Sequence, residues 1–200
     1  ERPLGLPREV TVENGRKAYA LLCQNYFGNP AQQLKLVAVT GTNGKTTVST
    51  LIKQIIEHTG HKAGLIGTIH TEIDQMEVPA KFTTPEAWDL AALLARMAAA
   101  GCEYAVMEAS SQALDQMRLW GLAFEVGVFT NLTQDHLDYH GDFEHYYLAK
   151  KSLFDQVKAM VVNADDPWGR RLLAEKPNVP AITFSDRDDT ADYTAKNIRL

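Results

Sequence analysis

The stretch Val37-Ala-Val-Thr-Gly-Thr-Asn-Gly-Lys-Thr-Thr47 constrains the fold more than any other part of the chain, because it joins an apolar strand to a helix through a glycine-bearing turn. Glycines let backbone N–H groups turn toward an anion, and a helix starting near Lys45 points its positive dipole end at the same place. The pattern predicts a phosphate cradle built from Gly41, Thr42, Asn43, Gly44, Lys45, Thr46 and Thr47. In it Lys45 supplies a charge to terminal phosphates and Thr46 a hydroxyl to Mg²⁺. A strict P-loop has glycine five residues before the Gly-Lys pair. Here Val39 holds that place and the leading glycine is Gly41, so the motif is a variant. The competing reading is a plain glycine turn between strand and helix.

Apolar strands and helices alternate from Leu34 onward. The pattern predicts a strand over 34–40, a helix over 45–59, a strand over 62–69 and then a polar segment. Thr84-Pro85-Glu86 reads as a helix start, with Thr84 at the cap and proline in the first turn, running to Ala100. A strand over 104–108, a helix through Trp120, a strand over 126–130 and a long polar loop to Gly141 follow. A helix over 143–154, a strand over 160–163, a helix over 168–174 and a strand over 181–184 complete the series. Near-continuous apolar strands alternating with helices predict an α/β fold, a mostly parallel sheet with helices on both faces. Ahead of it, residues 14–27 read as a helix with Ala18, Leu21, Leu22 and Tyr26 on one face, ended by Gly28-Asn29-Pro30.

Two hundred residues suffice for a full core, and the length suggests one domain, or one with a fragment of another attached. The chain opens at Glu1 without methionine and closes on a stretch that reads as a strand beginning, so a piece of a longer protein is expected. The net charge of −5, without a long basic run, argues against a nucleic-acid surface and for small-molecule partners. Cys23 and Cys102 lie far apart with no second pair, so reduced, buried thiols are expected. No apolar run approaches the roughly 20 residues that span a bilayer, and no signal-like start is visible. No membrane association and a cytoplasmic location follow as expectations.

In an open parallel sheet the carboxyl ends of the strands share one rim, where ligands bind, so polar residues just after strands should converge. Four segments meet this condition: Thr40 to Thr46, Met107 to Ser111, Thr130 to His136 and Asn163 to Asp166. Glu108 ends a strand reading Tyr-Ala-Val-Met, where a carboxylate is costly to bury unless it meets a cation. Mg²⁺ on ATP would serve; the alternative is a carboxylate accepting bonds from a neighbouring helix start. His136-x-x-x-His140 has a spacing compatible with zinc, but such sites add Cys or a third oriented ligand, and this is a loop. One imidazole assisting a hard-metal site fits better, with His140 and His145 as surface or loop-packing residues. On the helix from Phe143, the positions Phe143, Tyr147, Lys150 and Phe154 form the apolar stripe, and Lys151 faces away. A lysine there commonly lays its stem on apolar surface with its ammonium in water. Desolvation would instead lower its pKa and free the amine for covalent chemistry or proton transfer.

Taken together, these residues resemble the Mur ligase family. The matching pieces are Gly41 to Thr47, Thr83-Thr84-Pro85, Met107-Glu-Ala-Ser-Ser111, Thr130-Asn-Leu-Thr-Gln-Asp-His-Leu-Asp-Tyr-His-Gly141, Tyr146-Tyr-Leu-Ala-Lys150 and Asn163-Ala-Asp-Asp-Pro167. They run from residue 41 to 167 in the family's order, which is far more specific than any single motif. The resemblance implies an ATP-dependent amide ligase of peptidoglycan precursor synthesis, adding the third amino acid to a UDP-muramoyl dipeptide. Folylpolyglutamate synthetase and other Mur enzymes share the phosphate loop and modified lysine; the Asp135-to-Gly141 run and the Ser110-Ser111 pair favour the tripeptide-forming branch.

By that resemblance Lys45 and Thr46 handle ATP phosphates and a first Mg²⁺, Glu108 bridges metals, and His136 ligates a second ion. Lys150 matches the lysine that the family carbamylates, so a carbamylated lysine is expected there, a modification that requires the uncharged amine. Thr83, Thr84, Ser110, Gln116 and Arg118 match positions that hold the UDP-muramoyl dipeptide, and Asn163 matches the adenine side of the nucleotide pocket. A diamino acid is the second substrate and a monomer is expected. Gln112 stands where many members have histidine, which removes a proton-handling group. Residues 1–33 are expected to be the tail of an N-terminal UDP-binding domain or a linker. Residues 34–200 form a central ATP-binding domain, truncated and without the C-terminal ligase domain. A piece of this extent could be a nucleotide-binding module without turnover of its own, since water-excluding closure needs the missing domain.

Overall fold

The structure, a computed structural model, describes residues 9–135, 137–196 and 198. Nine strands form one sheet: β1 (Lys35–Thr40), β2 (Ala63–Ile66), β3 (His70–Ile73), β4 (Met76–Pro79), β5 (Tyr104–Glu108), β6 (Phe124–Phe129), β7 (Val157–Asn163), β8 (Ala181–Ser185) and β9 (Tyr193–Thr194). Their order is β4-β3-β2-β5-β1-β6-β7-β8-β9, parallel throughout except for the antiparallel pairs β2 with β3 and β3 with β4. The helices are α1 (Gly15–Tyr26), α2 (Lys45–His58), α3 (Ala87–Ala99), α4 (Ser111–Asp115), α5 (Leu137–His140), α6 (Phe143–Lys151) and α7 (Pro167–Glu175). From β1 the chain builds to one side with β2 and β5 and later to the other with β6 to β8. This reversal beside β1 opens a crevice at the carboxyl rim.

The central strands read as continuous apolar runs because both faces are covered: Leu36, Ala38, Ala105, Met107, Phe124 and Phe129 are all buried. A second, smaller cluster on the other face joins Val37, Leu65 and Val106 to Ile52 and Ile56 of α2. At roughly 1.5–3 kcal/mol per buried large apolar side chain, these strands fix the scaffold that holds the rim.

Several expected elements differ in extent. The polar segment after β2 is a hairpin, β3 and β4, whose strands alternate: Thr71 and Ile73 turn inward, and Glu72 turns to the buried Lys53 of α2. An ion pair across the helix lets a polar strand join the sheet. The helix expected to run through Trp120 stops at Asp115, because Met117 adopts a left-handed backbone (φ 57°). Helix α3 starts at Ala87, so Thr84 does not cap it; Glu86 holds the cap position. Helix α1 turns a different face inward from the one expected. It buries Ala20 and Cys23 against Ala87 and Ala91 of α3 and leaves Leu21, Leu22 and Tyr26 exposed. Small residues on both helices permit close approach, whereas the larger ones would hold them apart. Both cysteines are free and buried. Among the described residues no helix is long and apolar enough to cross a membrane.

Asp166 ties two rim segments together. Its Oδ1 accepts from the N–H groups of Trp168 (2.9 Å) and Gly169 (3.1 Å), capping α7, and its Oδ2 accepts from Leu132 N (3.1 Å). Asp166→Ala removes the cap and leaves the Leu132 N–H buried without its partner, so urea denaturation should show a loss of about 2–4 kcal/mol.

Candidate active site

The rim around the β1 tip is organised by Gly41. Its φ of +147° lies in the region that favours glycine, and a Cβ there would stand 1.9 Å from Thr130 Oγ1. That contact brings the loop after β1 against the loop after β6. Asn43 N donates to Asn131 Oδ1 (3.0 Å), Thr42 N to the Asn131 carbonyl (2.9 Å) and Thr130 Oγ1 to the Asn43 carbonyl (2.7 Å). The loop is therefore held by β6 partners, and Gly44 (φ 86°) leads into α2 with no side chain capping the helix. The first N–H groups of α2 have no intrahelical partners, which with the helix dipole makes an anion site.

The carbonyl of Gly41 gathers two lysines. Lys45 Nζ donates to it at 3.0 Å and to the Thr42 carbonyl at 2.8 Å, and Lys150 Nζ donates to it at 2.9 Å. Lys150 comes from α6 and is only 1% exposed, so its ammonium does not reach water and the snorkelling arrangement is overturned. Its Nζ lies 4.6 Å from the ring centroid of Tyr146. Burial first, then the neighbouring Lys45 charge, hold the Lys150 amine well below the ordinary lysine range, with Asp135 pulling weakly the other way. Burial also lowers Lys45, opposed by Glu108 and Asp135. Lys151 faces away, as expected, and pairs with Glu175.

Glu108, at the β5 tip and 1% exposed, has no ion-pair partner among the described residues. Its Oε1 accepts from Thr46 Oγ1 (3.0 Å) and Thr68 N (2.8 Å), and its Oε2 from Thr68 Oγ1 (3.0 Å). The bond from Thr46 is the helix-start contact expected as one alternative, yet a buried carboxylate with only neutral donors keeps lone pairs for a cation. Thr68 escaped the sequence reading, which placed it inside a strand running to Ile69; β2 ends at Ile66. The available signal was Gly67, where a Cβ would lie 2.6 Å from Glu108 Oε1.

A cavity of about 730 Å³ is lined by this loop and by residues of β5, α4 and the segment before α3. Lys45, Thr46, Glu108 and Lys150 lie at one part of its wall, with Thr42, Asn43, Gly44 and Thr47 beside them. Thr83, Thr84, Ser110 and Arg118 also line it, together with Lys81, Phe82, Ser111 and Gln112, which the motifs did not single out for binding. Thr84 Oγ1 donates to the Glu108 carbonyl (2.7 Å) and accepts from Ser110 N (3.0 Å), so it latches the α3 approach to the β5 tip. Ser110 Oγ caps α4 by accepting from Ala113 N (3.3 Å). Arg118 is aimed by Gln116 Oε1 (2.7 and 3.1 Å), the Thr84 carbonyl (2.8 Å) and Glu86 (2.8 Å). Gln116 stands behind Arg118, outside the cavity lining.

Asn163 lies apart from this cavity. Its Nδ2 donates to the Thr130 carbonyl (2.9 Å) and its Oδ1 accepts from Asp165 N (3.0 Å), which joins the β6 and β7 tips. His136 lies outside the described residues. His140 Nε2 is 2.9 Å from Ser111 Oγ of α4 with its ring stacked on Tyr146 of α6 (5.0 Å), so it packs between two helices and not on a loop, whereas His145 is a surface residue paired with Asp142. No group of three or more metal-binding side chains occurs among the described residues.

Residues 39–200 match the family model for the Mur ligase middle domain. The chain is 48% identical over 194 residues to the UDP-N-acetylmuramoyl-L-alanyl-D-glutamate--2,6-diaminopimelate ligase of Clostridium perfringens (strain 13 / Type A), covering 94% of the chain and 40% of that protein. A solved ligase of the same name superposes with a TM-score of 0.82 at 33% identity, over 96% of this chain and 41% of that one. A Mycobacterium tuberculosis folylpolyglutamate synthase superposes at 0.67 with 18% identity, over 84% and 47%, a likeness of fold alone. The chain thus spans about two fifths of the length of the first relatives it matches.

The buried amine of Lys150 carries a stability signature. Its folded pKa is lowered, so the unfolded chain binds more protons below the ordinary lysine value near 10.4, and stability rises with pH in that window. Lys150→Met leaves the Gly41 carbonyl its bond from Lys45. In bicarbonate-free buffer the variant should be more stable at neutral pH by about 1–3 kcal/mol, with the advantage shrinking as pH climbs toward 10 in urea titrations.

Proposed function

Since the chain belongs to the Mur ligase family as its middle domain, we propose that it is the ATP-binding core of a ligase joining 2,6-diaminopimelate to UDP-N-acetylmuramoyl-L-alanyl-D-glutamate. The relatives' names supply the substrates. The observation that carries the reading is the single cavity wall on which the helix start, two lysines and an unpaired buried carboxylate meet. In this reading the protein acts in the cytoplasm, as a monomer, on small molecules.

The γ-carboxylate of the D-glutamyl residue attacks the terminal phosphorus of ATP; an oxygen–phosphorus bond forms, the bridging bond breaks, and ADP leaves from an acyl phosphate. The amine of diaminopimelate then attacks the acyl carbon, the carbon–nitrogen bond forms, phosphate departs and the amine gives up a proton. Two anions must approach one another in the first stage and an anionic phosphate leaves in the second, so the protein's task is to offset charge. The α2 start and Lys45 face the phosphates. Arg118, held in place by Gln116 and Glu86, has its charge toward the dipeptide carboxylates, beside Thr83, Thr84 and Ser110. Asn163 keeps one amide hydrogen and one lone pair beyond its internal bonds and would border the adenine.

The donor set fits Mg²⁺, a hard cation that takes oxygen ligands. Glu108 and Thr46 would hold one ion, and Lys150 once carbamylated would hold a second with His136. When bound, Mg²⁺ supplies positive charge that neutralises the triphosphate and the transferring group. Carbamylation joins the neutral Lys150 amine to CO₂ with loss of one proton, converting a cation into a carboxylate. The depressed amine supports it.

In the intact protein, Lys45→Ala and Glu108→Gln should each lower dipeptide-dependent ADP release by about 10²-fold or more; unchanged release would dismiss the assignment. Carbon-13 bicarbonate should give a carbamate resonance that Lys150→Met lacks, and a spectrum showing none would remove the modification from the scheme.

A further inference from the structure

Nearly every described lysine and arginine in this acidic protein has a partner. Arg16, Lys53, Lys62, Arg118, Lys151, Lys158, Arg171, Lys176, Arg187 and Lys196 form ion pairs. Lys35, Lys45, Lys150 and Arg170 donate hydrogen bonds, and Lys17 lies over the Trp120 ring. Among the described residues two cations stand outside this pattern, Lys81 and Arg96, and both line the same pocket of about 270 Å³ between the β3–β4 hairpin and α3. They come from different elements, Lys81 from the segment after β4 and Arg96 from the last turn of α3.

Apart from Thr71 and Asp89, the rest of the wall is apolar, with Val78 and Pro79 on the hairpin side, Pro85 at the α3 approach and Ala92 and Leu93 on the helix. Asp89 also lines it, so two positive groups and one negative leave a local charge of +1. That balance suits a monoanion and disfavours a phosphate dianion, which would meet Asp89. A volume just under the roughly 300–1,000 Å³ of drug-sized sites limits the occupant to about one ring with a short tail.

We propose that this pocket is a second ligand site, separate from the nucleotide cavity, which takes a small amphipathic monocarboxylate: the carboxylate between Lys81 and Arg96, the apolar body against Leu93, Ala92 and Val78. Lys81 and Phe82 line both cavities. An occupant therefore rests against the partition that also bounds the space beside Thr83 and Arg118. The site does not depend on the ligase reading, because its occupant needs no nucleotide.

The test is an NMR titration of the 200-residue chain with phenylpropanoate and, in parallel, its neutral analogue phenylpropanamide. Saturable shifts at Val78, Ala92 and Leu93 are expected with the acid, and affinity at least about tenfold weaker with the amide, as two exposed ion pairs of up to about 1 kcal/mol each would give. The Lys81→Gln/Arg96→Gln variant, altered only at exposed positions, should lose the acid's advantage while still binding both compounds weakly. No saturable shift, equal affinity for acid and amide, or an undiminished preference for the acid in the double variant would each overturn the proposal.

Discussion

Two like-charged side chains converge on one backbone oxygen, the carbonyl of Gly41, and the rim of the sheet is arranged around that convergence. It exists because residue 41 has no Cβ: only a bare backbone can pass so close to Thr130 and present its carbonyl to both Lys45 and Lys150. The oxygen can accept two bonds, yet it cannot neutralise two charges. Burial lowers both amines, and Lys150, the more deeply buried, is held well below the ordinary range, with the Lys45 charge adding to the effect. A turn and a helix far apart in sequence are thereby joined through one buried polar contact.

Glu108 is the counterpart. Held at the next strand tip by Thr46 and by Thr68, it is an anion stripped of water and given only neutral donors. Keeping it there is expensive for the fold, and the loop after β2 contributes by giving up side-chain volume at Gly67. A cavity with separated, unpaired charges on its wall is poorly stabilised by itself and well suited to a ligand that brings the missing charges. On the other side of Phe82, Lys81 and Arg96 border a smaller pocket together with Asp89.

Where sequence reading succeeded, the signal was local and repeated. The β5 limits Tyr104–Glu108 followed from an apolar run ended by a carboxylate, and the start of α2 at Lys45 from the glycine turn. Where it failed, the deciding partner was distant. The β3–β4 hairpin looks too polar to be sheet until Lys53 of α2 is placed against Glu72. Thr84 has the form of a helix cap, and only the arrival of Ser110 N and the Glu108 carbonyl redirects its hydroxyl. Helix α1 offered a larger apolar face than the one it buries, and the small residues of α3 chose the other.

The sequence by itself determined the alternation that makes a parallel sheet, the phosphate-type turn after β1, and the placement of polar residues at strand tips, since each depends on neighbours within a few residues. Tertiary structure alone decided that Lys150 would be sealed from water beside Lys45, that Thr68 would hold Glu108, and that two cations would remain unpaired around a second pocket. Burial and pairing are properties of what packs against a side chain, and those neighbours are brought together by the strand order, which no local pattern encodes.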